Sequence, residues 1–172
     1  MKKIQAHLNK EIISTNDSFA KTLHQKSSFG EKIGEKIQYS LSEALYLVEK
    51  KKIEVLQKNK ILPFEELLKK LSRIDKKIQI KYPVFKDLRE KGHIVKTALR
   101  FGAEFRVYKK GTKIGKAHAT WIIFTEHESK NLSWHEFSAK NRVAHSTKKK
   151  LLLAIVDEES KINYYEISWI KP

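Results

Sequence analysis

Behind residue 40, apolar positions fall at helical spacing. Leu41, Ala44, Leu45 and Val48 recur at i, i+3, i+4 and i+7, the stripe of a single helix face. Ser40 and Glu43 stand ahead of this stripe as a capping box. The Ser40 hydroxyl can accept from the Glu43 N–H while the Glu43 carboxylate reaches back to the Ser40 N–H. Phe64, Leu67, Leu68 and Leu71 repeat the stripe behind Pro63, a residue suited to opening a helix. A further helix is expected from Ile74. It should break or restart near Tyr82–Pro83, because proline disfavours helical backbone in the residue before it, and it should stop at Gly92. Ahead of residue 40 the pattern is weaker. Ile4, Leu8, Ile12 and Ile13 predict a short strand pair within residues 1–15, the glycine-bearing stretch KSSFGEKIGEKI (26–37) reads as a loop, and Ile53–Leu56 is a short strand.

After Gly92 the period changes. HIVKTALRF, AEFRVY, ATWIIFTEH, LLLAIVDEE and INYYEISWI are rich in Ile, Val, Phe, Tyr and Trp and read as strands. The run Leu151–Val156 is apolar throughout, as in a strand buried on both faces. One helix interrupts the strands behind a second capping box, Ser133 with Glu136, and Phe137, Val143 and Ala144 can face inward. The pattern therefore divides the chain into an α+β part over 1–77 and a sheet-centred part over 78–172.

Composition narrows the functional classes. The 172 residues carry a net charge of +16 and 40% apolar residues, enough to build a core and enough excess charge to favour an anionic partner, nucleic acid first. There is no cysteine, which excludes disulfides, thiolate catalysis and cysteine zinc sites. No apolar run approaches the ~18 residues of a membrane span, and the start leads into no signal-like apolar region, so no membrane partner and a cytoplasmic location are expected. The seven histidines are scattered, no HExxH occurs, and no carboxylate cluster is placed to hold two metal ions. Glycine-rich nucleotide loops are also missing. No metal and no cofactor are expected.

RNA cleavage through the 2′-hydroxyl asks for less. The RNA supplies its own nucleophile, and the enzyme supplies a base, an acid and a cation beside the phosphorane. Tyr108 at the end of EFRVY, His118 in GKAHATW, and the triplet Lys148–Lys149–Lys150 at the mouth of the apolar strand are the candidates. Tyr108 and His118 flank the loop KKGTKIGKA, which sets them at one end of neighbouring strands. Taken singly, each has an ordinary reading: a strand-edge tyrosine, a surface histidine and a solvated strand end. His145, inside the last helix, reads as structural.

Three longer segments change this picture. SLSEALYLVEKKKIEV, VFKDLREKGHIVKTALRFGAEFRVY and RVAHSTKKKLLLAIVD closely resemble the archaeal tRNA-splicing endonuclease family, also called tRNA-intron lyase, and the resemblance spans nearly the whole chain. It implies an α+β N-terminal domain followed by an α/β nuclease-like C-terminal domain with a central mixed sheet. It implies excision of introns from precursor tRNA at bulge–helix–bulge sites by metal-independent transesterification, leaving 2′,3′-cyclic phosphate and 5′-hydroxyl ends. The family's catalytic residues fall on Tyr108 as base, His118 as acid and Lys149 as phosphorane-stabilising cation. A phenol titrates near ~10 in water, so a tyrosine base calls for neighbouring cations such as Lys109 and Lys110.

The resemblance also implies RNA contacts. Arg142, seven positions before Lys149, would clamp a bulged base, with Lys148 on the RNA as well. The residue expected to pair with Arg142 from another subunit falls at Tyr164, where a ring would stack in place of a second arginine. Family members assemble with themselves as homodimers or homotetramers, or with a structural subunit as heterotetramers. TEHESKN, with Glu126 and Glu128, matches the acidic loop that docks one dimer on another, and YYEISWIKP resembles the tail that pairs subunits. The alternatives are a non-catalytic RNA-binding or architectural subunit and a metal-dependent DNA nuclease on a related fold.

Overall fold

The computed structural model describes residues 3–170 and 172. The chain divides into two compact units, Met1–Tyr82 and Pro83–Pro172.

The first unit is built on a six-stranded sheet. Strands β1 (Ile4–Asn9) and β2 (Ile12–Thr15) form the expected pair. They are joined by β3 (Glu31–Ile33), β4 (Lys36–Tyr39), β5 (Ile53–Gln57) and β6 (Lys60–Leu62), in the order β3-β4-β2-β1-β5-β6. The β1–β5 pair is parallel and the other pairs are antiparallel. Helices α1 (Ser18–Ser27), α2 (Leu41–Glu49) and α3 (Phe64–Ile74) complete the unit. The Ser40–Glu43 capping box forms with both reciprocal bonds, and such a cap contributes about 1 kcal/mol. Leu45, Leu47, Ile53, Val55, Leu67 and Leu71 are fully buried. Each such side chain contributes ~1.5–3 kcal/mol relative to exposure.

Two expectations fail here. Residues 26–37 are not a loop: α1 reaches Ser27, and β3 and β4 form a hairpin whose two-residue turn holds Gly34 at φ 58. Glycine supplies the positive φ such a turn needs, so the glycine marked a hairpin and not an irregular stretch. Nor does the helix break at Pro83, because α4 (Ile78–Glu90) runs through it. Packing holds both sides of the proline. Tyr82 donates to Glu49 at 2.8 Å and tilts against Phe64, while Val84 and Phe85 are fully buried. That anchoring offsets the ~3 kcal/mol cost of an internal proline.

The second unit carries a five-stranded mixed sheet, β7 (Ile94–Ala98), β8 (Ala103–Tyr108), β9 (Trp121–His127), β10 (Lys150–Val156) and β11 (Ile162–Ile167), in the order β11-β10-β9-β8-β7. Helix α5 (Trp134–Ser146) crosses between the parallel strands β9 and β10, and its Ser133–Glu136 capping box also forms. Ala144 and Val143 of α5 pack on Ile122, Phe124, Leu151 and Leu153 from one face of the sheet. Phe85 of α4 meets Phe105 on the other. Leu151 to Val156, sandwiched between these layers, is the buried strand its apolar run predicts: Leu151, Leu153, Ala154 and Val156 are all buried.

Candidate active site

Strand register places two of the three candidates, Tyr108 and Lys149, at one end of this sheet. Arg106 of β8 and Leu151 of β10 both stand opposite Ile122 of β9. Tyr108 lies two residues beyond Arg106, and Lys149 two residues before Leu151. Side chains alternate along a strand, so Tyr108 and Lys149 lie on the α5 face, on either side of β9. Thr120 fixes the spacing between them. Its N–H donates to the Val107 carbonyl at 2.8 Å, and its carbonyl accepts from the Lys150 N–H at 3.0 Å. His118 lies in the exposed segment that leads into β9, two residues before Thr120.

The three lysines of the triplet meet different fates. Lys148 adopts left-handed backbone at φ 54 and is exposed. Its N–H donates to His145 O and the Lys149 N–H to Ala144 O, each at 2.9 Å. These are the two bonds of a Schellman helix end with lysine where glycine is usual. Lys149 is half-buried, its Nζ donates to Thr147 O at 2.8 Å, and the same ammonium sits 5.6 Å from the Phe101 ring centroid. Lys150 turns to the opposite face and pairs with Glu166 at 2.6 Å. So only Lys149 combines the Tyr108 face of the sheet with a fixed side chain.

Tyr108 is buried and His118 is exposed. Between them runs an exposed basic loop bearing Lys109, Lys110, Lys113 and Lys116. The arrangement offers a buried tyrosine, an exposed imidazole and an ammonium on the tyrosine's side of the sheet. This set suits proton transfer and charge stabilisation at a phosphodiester. Among the described residues, no group of three or more His, Asp or Glu side chains is gathered to hold a metal ion.

Residues 78–164 match the model of the tRNA intron endonuclease catalytic C-terminal domain, and residues 4–68 match that of the tRNA intron endonuclease N-terminal domain. The chain belongs to the tRNA intron endonuclease family. It is similar to the tRNA-splicing endonuclease of Pyrococcus abyssi, 44% identical over 93% of this chain and 92% of that protein. The tRNA-splicing endonuclease of Nanoarchaeum equitans is 45% identical over 77% of this chain and 88% of its own. That of Methanothermobacter thermautotrophicus is 36% identical over 99% of both.

The other residues expected from the family resemblance are placed differently. Arg142 is exposed on α5. Tyr164 faces away from it: it pairs with Ala154 on β11, its hydroxyl donates to Asp87 of α4 at 2.7 Å, and Lys91 lies 5.1 Å from its ring centroid. Burial, then the Asp87 bond and charge, push the Tyr164 hydroxyl far above the usual phenol range. Within one protomer Arg142 and Tyr164 are therefore on opposite faces of the sheet. Glu126, expected on an acidic docking loop, is instead the buried end of β9, bridged to Lys130 and Lys140 at 3.2 Å each. Position in a strand, with two cations at hand, turns this carboxylate inward. Glu128 remains exposed.

Sequence reasoning passed over His93, Trp121 and Glu166. His93 Nδ1 lies 3.1 Å from the Tyr108 carbonyl oxygen, and Trp121 Nε1 donates to Glu166 at 2.8 Å. Lys150, then Trp121, hold the Glu166 carboxyl below its usual range through hydrogen bonds. The partners are separated by 15 and 45 residues, so no local spacing signals either contact.

Proposed function

We propose that this chain excises introns from precursor tRNA, cutting bulge–helix–bulge RNA by transesterification without a metal ion. Tyr108 takes the proton from the 2′-hydroxyl, and the 2′-oxygen attacks the adjacent phosphorus. The bond from phosphorus to the 5′-oxygen breaks as His118 gives that oxygen a proton. The Lys149 ammonium stabilises the charge that builds on the non-bridging oxygens. The products are a 2′,3′-cyclic phosphate and a 5′-hydroxyl, and atoms and protons balance with no co-reactant. Arg142 and Lys148 hold RNA on the exposed side, and Tyr164 completes the bulge contact from another subunit. The chain works with copies of itself, as a dimer or tetramer, in the cytoplasm.

What supports this reading is the position of Tyr108 and Lys149 on one face at one end of the sheet, with His118 in the exposed segment leading into β9, in a chain of a tRNA intron endonuclease family. The deciding experiment incubates purified protein with a folded bulge–helix–bulge RNA in EDTA and identifies the ends. Cutting at both bulges with cyclic phosphate ends is expected. RNA bound and left intact would favour a non-catalytic RNA-binding subunit. Cutting restored only by magnesium would overturn the metal-free route.

A further inference from the structure

A chain of side chains crosses the sheet beneath the candidate site, on the face opposite Tyr108 and Lys149. It begins at His93, directly before β7. His93 Nδ1 lies 3.1 Å from the Tyr108 carbonyl oxygen, and its ring stands edge-on to Trp121 with centroids 5.7 Å apart. Trp121 Nε1 donates to Glu166 Oε2 at 2.8 Å, and Glu166 Oε1 accepts from Lys150 Nζ at 2.6 Å. One end of the chain grips the backbone of Tyr108. The other grips the residue next to Lys149.

His93 is itself fixed. Its N–H donates to Leu88 O at 3.0 Å and its carbonyl accepts from Arg89 at 3.3 Å, both on α4. Tyr108 is the last residue of β8, and its pair with Ile94 is the last of the β7–β8 ladder. Thr120 holds the Val107 carbonyl on the β9 side. The Tyr108 carbonyl points the other way, and the His93 ring supplies a donor just where the ladder ends. A carbonyl only accepts, so Nδ1 carries hydrogen in this contact.

We infer that His93 is a positioning residue for RNA cleavage, locking Tyr108 in place and coupling it through Trp121 and Glu166 to Lys150, the first residue of β10 and the chain neighbour of Lys149. The inference rests on the roles proposed above for Tyr108 and Lys149. Its force comes from geometry: a misplacement of about 1 Å in a reacting group can cost ~10²-fold in rate.

The test is single-turnover cleavage of bulge–helix–bulge RNA at saturating protein, alongside RNA affinity, for His93→Ala, His93→Leu and His93→Asn. Leucine fills the space without a donor, whereas asparagine returns an N–H near the Nδ1 position. Alanine and leucine should lower the saturated rate by about 10- to 100-fold and leave affinity unchanged. Asparagine should recover most of the rate, and the pH–rate profile should keep its shape in every variant. Leucine as active as asparagine would overturn the inference in favour of simple packing. So would a lost limb of the pH profile, which would make His93 a proton-transfer group, or a fall in affinity with no fall in rate. If His93→Ala does not fold, the asparagine–leucine comparison decides. Tyr108→Phe and Lys149→Ala run in parallel keep the two failures apart. Normal cleavage by those two variants refutes the reading of the site, whereas their inactivity beside a fully active His93→Leu refutes positioning alone.

Discussion

Lys148 and Lys149 are consecutive, yet the left-handed backbone of the first creates the placement of the second. With Lys148 at φ 54, the chain leaves α5 sharply enough for the Lys149 N–H to reach Ala144 O and for its ammonium to reach Thr147 O. A side chain in this conformation costs about 1 kcal/mol, which glycine avoids.

Lys148→Gly separates the cost of this backbone from the effect of the charge. Relief of the backbone, less ~0.5 kcal/mol for glycine's greater freedom when unfolded, should stabilise the second unit by about 0.5 kcal/mol, or ~1–2 °C in Tm. RNA affinity should fall, and the slope of log affinity against log salt should shrink by about one if the ammonium meets a phosphate. Calorimetry and salt-dependent binding check the two halves. An unchanged slope would remove Lys148 from the RNA surface.

Glu126 should behave as a structural residue of its own subunit. Its carboxylate is buried between Lys130 and Lys140, and Lys140 also lies 4.2 Å from the Phe124 ring centroid. Lys130 keeps 43% and Lys140 17% of the side chain exposed, so loss of the carboxylate should cost less than the ~3 kcal/mol of a fully buried pair. Glu126→Ala should therefore lower the denaturation midpoint equally at low and high protein concentration. A midpoint that falls only on dilution would return this residue to a subunit interface.

The pattern of apolar positions made α2, α3, α5 and the sheet of the second unit legible, because period and burial agree in the helices and sheet, and capping boxes mark the starts of α2 and α5. It failed at Pro83 and at the β3–β4 hairpin. There a local rule was outweighed by distant packing in one case, and two glycines concealed short strands in the other. Tyr108 and His118 could be linked from the sequence alone because one loop joins them. Lys149 reaches them through strand register from across α5, a relation carried only by the family resemblance. His93 was illegible because its meaning depends on a backbone carbonyl 15 residues away.

Alkaline titration should expose the environment of Tyr164. Burial and Asp87 raise its hydroxyl above the usual phenol range, and burial with Glu43 and Asp17 raises that of Tyr39. A raised folded pKa contributes stability that is complete below the unfolded value of ~10 and is lost as pH climbs beyond it. Near pH ~11, tyrosine absorbance should therefore show Tyr39 and Tyr164 still protonated among the six tyrosines. Urea should release them, and Tyr164→Phe should lower the resistant number by one. Ionisation of all six at one midpoint in folded protein would contradict the buried placement.

Arg142 should act on binding and not on chemistry, since it is exposed on α5 and the proposed proton transfers and charge stabilisation are assigned to Tyr108, His118 and Lys149. Stacking against a base is worth ~1–3 kcal/mol on alanine substitution. Arg142→Ala should weaken binding of bulged RNA by that amount and leave the saturated single-turnover rate close to the parent's. Undiminished affinity for bulged RNA would end this assignment.

His118 is exposed, and the acid role proposed for it can be isolated by changing the leaving group. General acid catalysis contributes ~10²–10⁴-fold, equal to about 3–5 kcal/mol at ~1.4 kcal/mol per tenfold. His118→Ala should be slowed by that factor on ordinary RNA. Sulfur in place of the bridging 5′-oxygen departs without a proton, so the same variant should regain most of its rate on that substrate. Tyr108→Phe and Lys149→Ala should gain nothing comparable, because in the proposed route one serves the attacking 2′-oxygen and the other the phosphorane charge. Single-turnover rates for three variants on two substrates decide the matter. Rescue of all three alike, or of none, would show that His118 does not protonate the leaving oxygen, even if each residue proves essential.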